Sequence, residues 1–161
     1  KTLYKAGNYI DQKFYELLVE AYPEAKITTL MAKRSKEQYG LVSSARGVVS
    51  LTFPESGVPR AHDVTEELTR ACESIVPDIL EAMTHLVADH DPEFQDPLRH
   101  SVILAGGGSQ IRGLSQLVEQ YLQDELGGGK VRVVDDYLYA GATGALELAQ
   151  DADASYWHYV K

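Results

Sequence analysis

The stretch from Ser101 to Leu114 constrains the fold more than any other part of the chain. Ser101-Val102-Ile103-Leu104-Ala105 is a short apolar run of the kind a buried strand carries. Gly106-Gly107-Gly108-Ser109 interrupts it, and Leu114, Leu117, Val118, Tyr121 and Leu122 then recur at the spacing of one helix face. A glycine run between a strand and a helix lets a ligand approach backbone that side chains would otherwise cover. The helix start beyond it offers N–H groups without intrahelical partners. Taken alone, the same run also fits a plain tight turn. Gly127-Gly128-Gly129 ends that helix, Val131-Arg132-Val133-Val134 reads as a second strand, and Tyr139 to Gln150 as a closing helix of small residues. Strand, helix, strand, helix in this order makes the second half α/β.

Two common nucleotide signatures fail here. The Rossmann pattern needs a third glycine where Ile111 stands, and the P-loop needs Lys-Ser or Lys-Thr where Leu114-Ser115 stands.

The first half reads differently. Ile10, Phe14, Leu17, Leu18 and Tyr22 share one face of a helix that Pro23 ends. Thr28 or Thr29 caps a second, more charged helix through Tyr39, with Gly40 as its stop. Gly47 to Phe53 is a β-type run, closed by Pro54-Glu55-Ser56-Gly57 and returning to about His62 as a hairpin. Asp63-Val64-Thr65-Glu66 has the form of a capping box. Behind it Leu68, Cys72, Ile75, Ile79, Met83 and Leu86 recur at helical spacing, with Pro77 marking a kink or break. Asp91-Pro92 and Asp96-Pro97 mark a loop.

Composition excludes several function classes. A length of 161 residues with 44% hydrophobic and 24% charged side chains fits one ordinary globular domain. A formal net charge of −9 attracts no polyphosphate at long range, so nucleic acid is a poor partner. No run approaches the length of a transmembrane segment, and the N-terminus carries no signal-peptide pattern. The chain does not open on Met and reads as beginning partway through a longer protein. Cys72 is the single cysteine, which fits a reducing cytoplasm and a core position better than a nucleophile. His85, Asp89, His90 and Asp91 do not share a helix face, and no metal site is expected from them.

On Ala105-Gly106-Gly107-Gly108-Ser109-Gln110-Ile111-Arg112-Gly113-Leu114, the chain resembles the adenosine motif of the actin superfamily. Three further matches stand in the expected order. Gly7-Asn8-Tyr9-Ile10-Asp11 resembles the glycine-led helix start that opens the fourth actin subdomain. Ser35-Lys36-Glu37-Gln38-Tyr39-Gly40 resembles the helix that flanks adenine and ribose. Tyr139-Ala140-Gly141-Ala142-Thr143-Gly144-Ala145 resembles the closing helix of the bacterial actin-like ATPases, which include the MreB and ParM proteins. That last helix, with Asp91-Pro92-Glu93-Phe94-Gln95 and Ser155-Tyr156-Trp157, inclines the resemblance toward the magnetosome-filament branch.

This resemblance implies the second domain of an actin-like ATPase fold. A peripheral IIB-like subdomain would span 1–76, an α/β IIA-like subdomain 77–150, and a tail 151–161. It implies a half-site for the adenosine portion of ATP or ADP, built from Gly7, Lys33, Lys36, Glu37, Gly106, Gly107, Gly108, Ser109 and Ile111. Lys33, Lys36, Glu37 and Gly40 fall at i, i+3, i+4 and i+7 on one helix face. There a carboxylate accepts ribose hydroxyls and a lysine stem packs along the base. Without the family match, a solvated charged face explains the same residues, and ordinary core explains Ile111.

The phosphate loops of the superfamily are acidic-glycine turns, and no Asp-x-Gly occurs in this chain. Mg2+ and the phosphates would therefore be handled only by the missing first half, and no catalytic residue is expected here. The implied whole is a cytoplasmic, cytoskeletal filament protein that self-associates, with magnetosome-associated proteins as further partners. Within the superfamily the alternative is a chaperone or sugar-kinase nucleotide domain, and outside it a small complete α/β enzyme.

Overall fold

The computed structural model describes residues 2–153 and 157. The expected signature at Ser155-Tyr156 and most of the 151–161 tail therefore lie outside the described residues. Helix α1, Gly7–Ala21, forms where the apolar spacing requires, with Ile10, Phe14, Leu17 and Leu18 buried. Helix α2, Thr29–Tyr39, is capped by Thr28, whose hydroxyl accepts the Met31 N–H at 3.2 Å. Gly40 ends α2 for a packing reason, because a Cβ there would lie 2.7 Å from the Lys36 carbonyl.

Strands β1, Ser50–Glu55, and β2, Val58–Asp63, pair antiparallel from Ser50↔Asp63 to Glu55↔Val58. Their two-residue turn puts both Ser56 and Gly57 at positive φ, the hand that matches strand twist. Phe53 stacks on His62 at 4.4 Å, with Tyr22 against both rings.

Helix α3, Thr65–Glu73, departs from the capping-box expectation. Asp63 Oδ1 accepts the Thr65 N–H at 3.0 Å and the Thr65 hydroxyl at 2.6 Å, while Val64 is the helix boundary. The carboxylate closes a local turn two residues on, so the helix starts one residue later. These bonds hold the Asp63 carboxyl below its ordinary pKa. A break at Ser74 and Ile75 separates α3 from α4, Val76–Ala88, and Pro77 falls in the first turn of α4 where no intrahelical donor is needed.

The segment expected to be a loop is a helix instead. Helix α5, Pro92–Arg99, starts on Pro92 and contains Pro97. In eight residues Pro97 forfeits a single ladder bond, too little to abolish the turn pair.

Strands β3, Val102–Leu104, and β4, Val131–Val133, pair parallel from Val102↔Val131 to Leu104↔Val133. Helix α6, Leu114–Glu125, lies between them, and α7, Ala140–Asp151, follows. Glu119 of α6 clasps the entry to β4, accepting the Val131 N–H and the Lys130 ammonium at 3.0 Å each. Those bonds lower the Glu119 pKa. β3 is not the buried strand its sequence suggests: Ile103 is 55% exposed, because no described element covers that face.

One core runs through both halves. Phe14, Leu18, Phe53, Leu68 and Cys72 pack in the same cluster as Ile75, Ile111, Leu114 and Val118, which lies across residue 76. Burial pushes the Cys72 thiol up to about 11, so it packs as an apolar group.

Candidate functional site

Three separate stretches meet at one cleft of about 700 Å3. The first is the start of α1, where Ala6 stands at the N-cap and makes no side-chain capping bond. Gly7 and Asn8 stand there at the cleft wall. The second is α2, which presents Lys33, Lys36 and Glu37. The third is the glycine loop, of which Gly107, Gly108, Gln110 and Ile111 face the cleft. Ile75, between α3 and α4, and Tyr137 and Leu138, just before α7, also line it.

The loop is braced from within. Gly106 has φ of 78°, a conformation that favours glycine, and its carbonyl accepts both the Ser109 N–H at 3.1 Å and the Ser109 hydroxyl at 2.7 Å. Gly107 and Gly108 are different. A Cβ added to either would meet nothing within 4 Å, so internal packing does not explain why side chains are missing there. Their backbone is left open to the cleft.

The loop is also joined to α2. The Val42 N–H donates to the Arg112 carbonyl, and the Arg112 N–H to the Gly40 carbonyl, each at 3.0 Å. Ser44 donates its hydroxyl to the Gly113 carbonyl at 2.8 Å. Gly113 has φ of 85°, and a Cβ there would lie 2.5 Å from the Ser44 hydroxyl and 2.9 Å from the Ala45 nitrogen.

Gly7, Lys33, Lys36, Glu37, Gly107, Gly108 and Ile111 are thus brought together on the lining, whereas Gly106 and Ser109 sit behind it and shape the turn. Lining residues outside the expected set include Asn8, Asp11, Ile75, Gln110, Tyr137 and Leu138. Asp11 had a signal: it shares the buried face of α1 with Phe14 and Leu18 at i, i+3 and i+7, an odd place for a carboxylate. Tyr137 and Leu138 had none, since only the fold carries them to the cleft.

The charges on the lining offset one another. Lys36 Nζ lies 2.7 Å from Asp11 Oδ1 and donates to the Gly7 carbonyl at 3.3 Å. Lys33 lies 3.9 Å from Glu37 at the exposed rim. With both cations matched by carboxylates, the cleft exerts little pull on a polyphosphate. Ile75, Ile111 and Leu138 give it apolar surface, and Asn8, Gln110 and Glu37 give it a few polar groups, a mixture that suits a nucleoside.

Comparison with known proteins agrees with this architecture. The family described as MreB/Mbl protein matches residues 1–156. The chain is 38% identical over 156 residues to the actin-like protein MamK of Paramagnetospirillum magneticum, covering 97% of this chain and 45% of that protein. It is 37% identical to MamK of Magnetospirillum gryphiswaldense, covering 97% and 43%. The chain therefore spans about half the length of the curated relatives it matches. Among solved structures, a MamK double helical filament superposes with a TM-score of 0.89 at 37% identity, covering 95% of this chain and 47% of the other. A non-polymerising MamK mutant bound to AMPPNP superposes at 0.88 with 38% identity, covering 94% and 46%. MreB 5 of Spiroplasma citri bound to AMPPNP, at 18% identity and a TM-score of 0.76, covers 93% and 45% and shares the fold. This chain, with its glycine-lined cleft and its match over residues 1–156, belongs to the MreB/Mbl family of actin-like proteins.

Proposed function

We propose that this chain supplies the adenosine-holding half-site, and part of the subunit contact surface, of an ATP-dependent actin-like filament protein that organises magnetosome chains in the cytoplasm. The observation that carries the reading is the meeting of Gly7, Lys36, Glu37, Gly107, Gly108 and Ile111 on one cleft, although they come from three separated stretches. In this reading Gly107 and Gly108 let the nucleoside reach the backbone. The Glu37 carboxylate, held only loosely by Lys33, accepts the ribose hydroxyls, and Ile111 lies against the base. The chain has no Asp-x-Gly turn, so phosphate and Mg2+ would be held by residues outside it. When bound, ATP supplies the cleavable phosphate bond, and the residues here bind and orient its nucleoside end.

Self-association and magnetosome-associated partners belong to the same proposal. It is supported by the likeness to filament structures and by apolar surface left open on α7 and at the hairpin tip, where Val58 is exposed. No helix among the described residues is long and apolar enough to cross a membrane.

Calorimetric titration of the full-length protein with ATP tests the site. Gly107→Asp places a charged side chain where the nucleoside approaches and should abolish binding. Glu37→Ala should weaken binding by about 1.5–3 kcal/mol, the loss expected for a hydrogen bond to a charged group. Unchanged affinity in both folded variants would remove the cleft from consideration.

A further inference from the structure

Asp11 is a charged residue on a buried helix face, and a buried carboxylate is costly unless it is paired. Its partner is Lys36, and the two side chains are only 11% and 12% exposed. The 2.7 Å contact is an ion pair outside aligned hydrogen-bond geometry, and Asp11 Oδ1 has no hydrogen-bond partner among the described residues. Asp11 therefore holds the lysine chiefly by charge. The Gly7 carbonyl takes one N–H of the same ammonium at 3.3 Å. Asp11, Lys36 and Gly7 all line the cleft, so the pair closes its floor between α1 and α2.

We infer that Asp11 is a positioning residue of this cleft: it pins the Lys36 ammonium against the Gly7 carbonyl, so that a bound nucleoside meets the aliphatic stem of Lys36 and not its charge. The inference rests on the nucleoside reading of the cleft and adds to it a division of labour. Lys36 becomes apolar wall, Glu37 the hydrogen-bonding group, and Asp11 the charge that keeps them distinct. Without Asp11, the ammonium is free to turn into the cleft. It then displaces the base and attracts phosphates.

Asp11→Asn in the full-length protein separates charge from shape, with adenosine and ATP as probes. Adenosine affinity should fall about tenfold, and ATP affinity should fall less. The ATP-to-adenosine affinity ratio should rise at low salt, because an unpaired cation is screened by ions. A role confined to fold stability moves the melting temperature and leaves that ratio unchanged. Adding Lys36→Met to Asp11→Asn should cost no further adenosine affinity beyond Lys36→Met alone. If Asp11→Asn does not fold, Asp11→Leu with Lys36→Met replaces the ions by an apolar pair, and should stay within about threefold of Lys36→Met. Adenosine affinity within about twofold of wild type in Asp11→Asn, or a double variant that loses the product of both single losses, overturns the inference. Failure of folded wild-type protein to bind either probe overturns the nucleoside reading instead.

Discussion

Helix α1 buries Ile10, Phe14, Leu17 and Leu18, packing against α2 and α3, whereas α7 buries none of its residues and leaves Leu146 and Leu148 exposed. Both are regular helices containing several apolar residues. The difference lies in what stands opposite. The first half folds three helices and a hairpin around a shared set of side chains. The second half offers α6, which buries Leu114, Val118 and Leu122, beside a two-stranded sheet with an uncovered face. Helical pattern thus fixes which residues align, and only the neighbouring element decides whether they are buried.

Truncating Phe14 tests the contrast most severely. Phe14→Ala should cost about 3–5 kcal/mol in urea unfolding, since the ring is fully buried, while Leu148→Ala should stay within about 0.5 kcal/mol. Equal losses would break the comparison.

The glycines sharpen it at the site. Gly113→Ala should destabilise by about 2–3 kcal/mol, from a left-handed backbone and a Cβ pressed on the Ser44–Ala45 turn. Gly107→Ala has open space and should change unfolding by less than about 0.5 kcal/mol while still weakening ATP binding. If both alanines destabilise alike, Gly107 is structural and its link to a ligand falls.

The smallest effect concerns acid. Glu119 in the second half and Asp63 in the first each have a folded pKa below the ordinary carboxylate value. A lowered folded pKa gives stability that is present above the unfolded value and is lost as pH falls through the folded one. Glu119→Gln and Asp63→Asn should therefore melt slightly below wild type at neutral pH, with each gap closing on acidification below the usual carboxylate range. A gap that persists at low pH would show that charge is not its source.

Much of this was legible in the sequence because its causes are local. The spacing of Ile10, Phe14 and Leu18 dictates α1, Thr28 caps α2, and Ser56-Gly57 sits at a hairpin turn. The glycine run falls where a strand meets a helix. The family also follows from such segments in order. What was misread depended on competition or distance. Asp63 prefers a bond two residues ahead, which displaced the expected cap. Pro92 and Pro97 look like loop punctuation, yet Pro92 starts a helix and Pro97 is tolerated in it. Ile103 looks buried because apolar runs usually are. Tyr137 and Leu138 reach the cleft through the path of β4, which no local pattern announces.

The backbone seam between Gly40–Val42 and Arg112 has a consequence for the order in which the molecule folds. It joins residues some seventy positions apart, as two hydrogen bonds at 3.0 Å. Contacts of such long sequence separation carry the greatest loop-closure cost and form after local helices and hairpins. The cleft, which draws on residues from Gly7 to Leu138, is complete only once that closure has happened. A ligand that binds there recognises the finished fold and no earlier state, so its binding energy stabilises that fold alone. Recovery of nucleotide binding during refolding should accordingly lag behind recovery of helical circular dichroism.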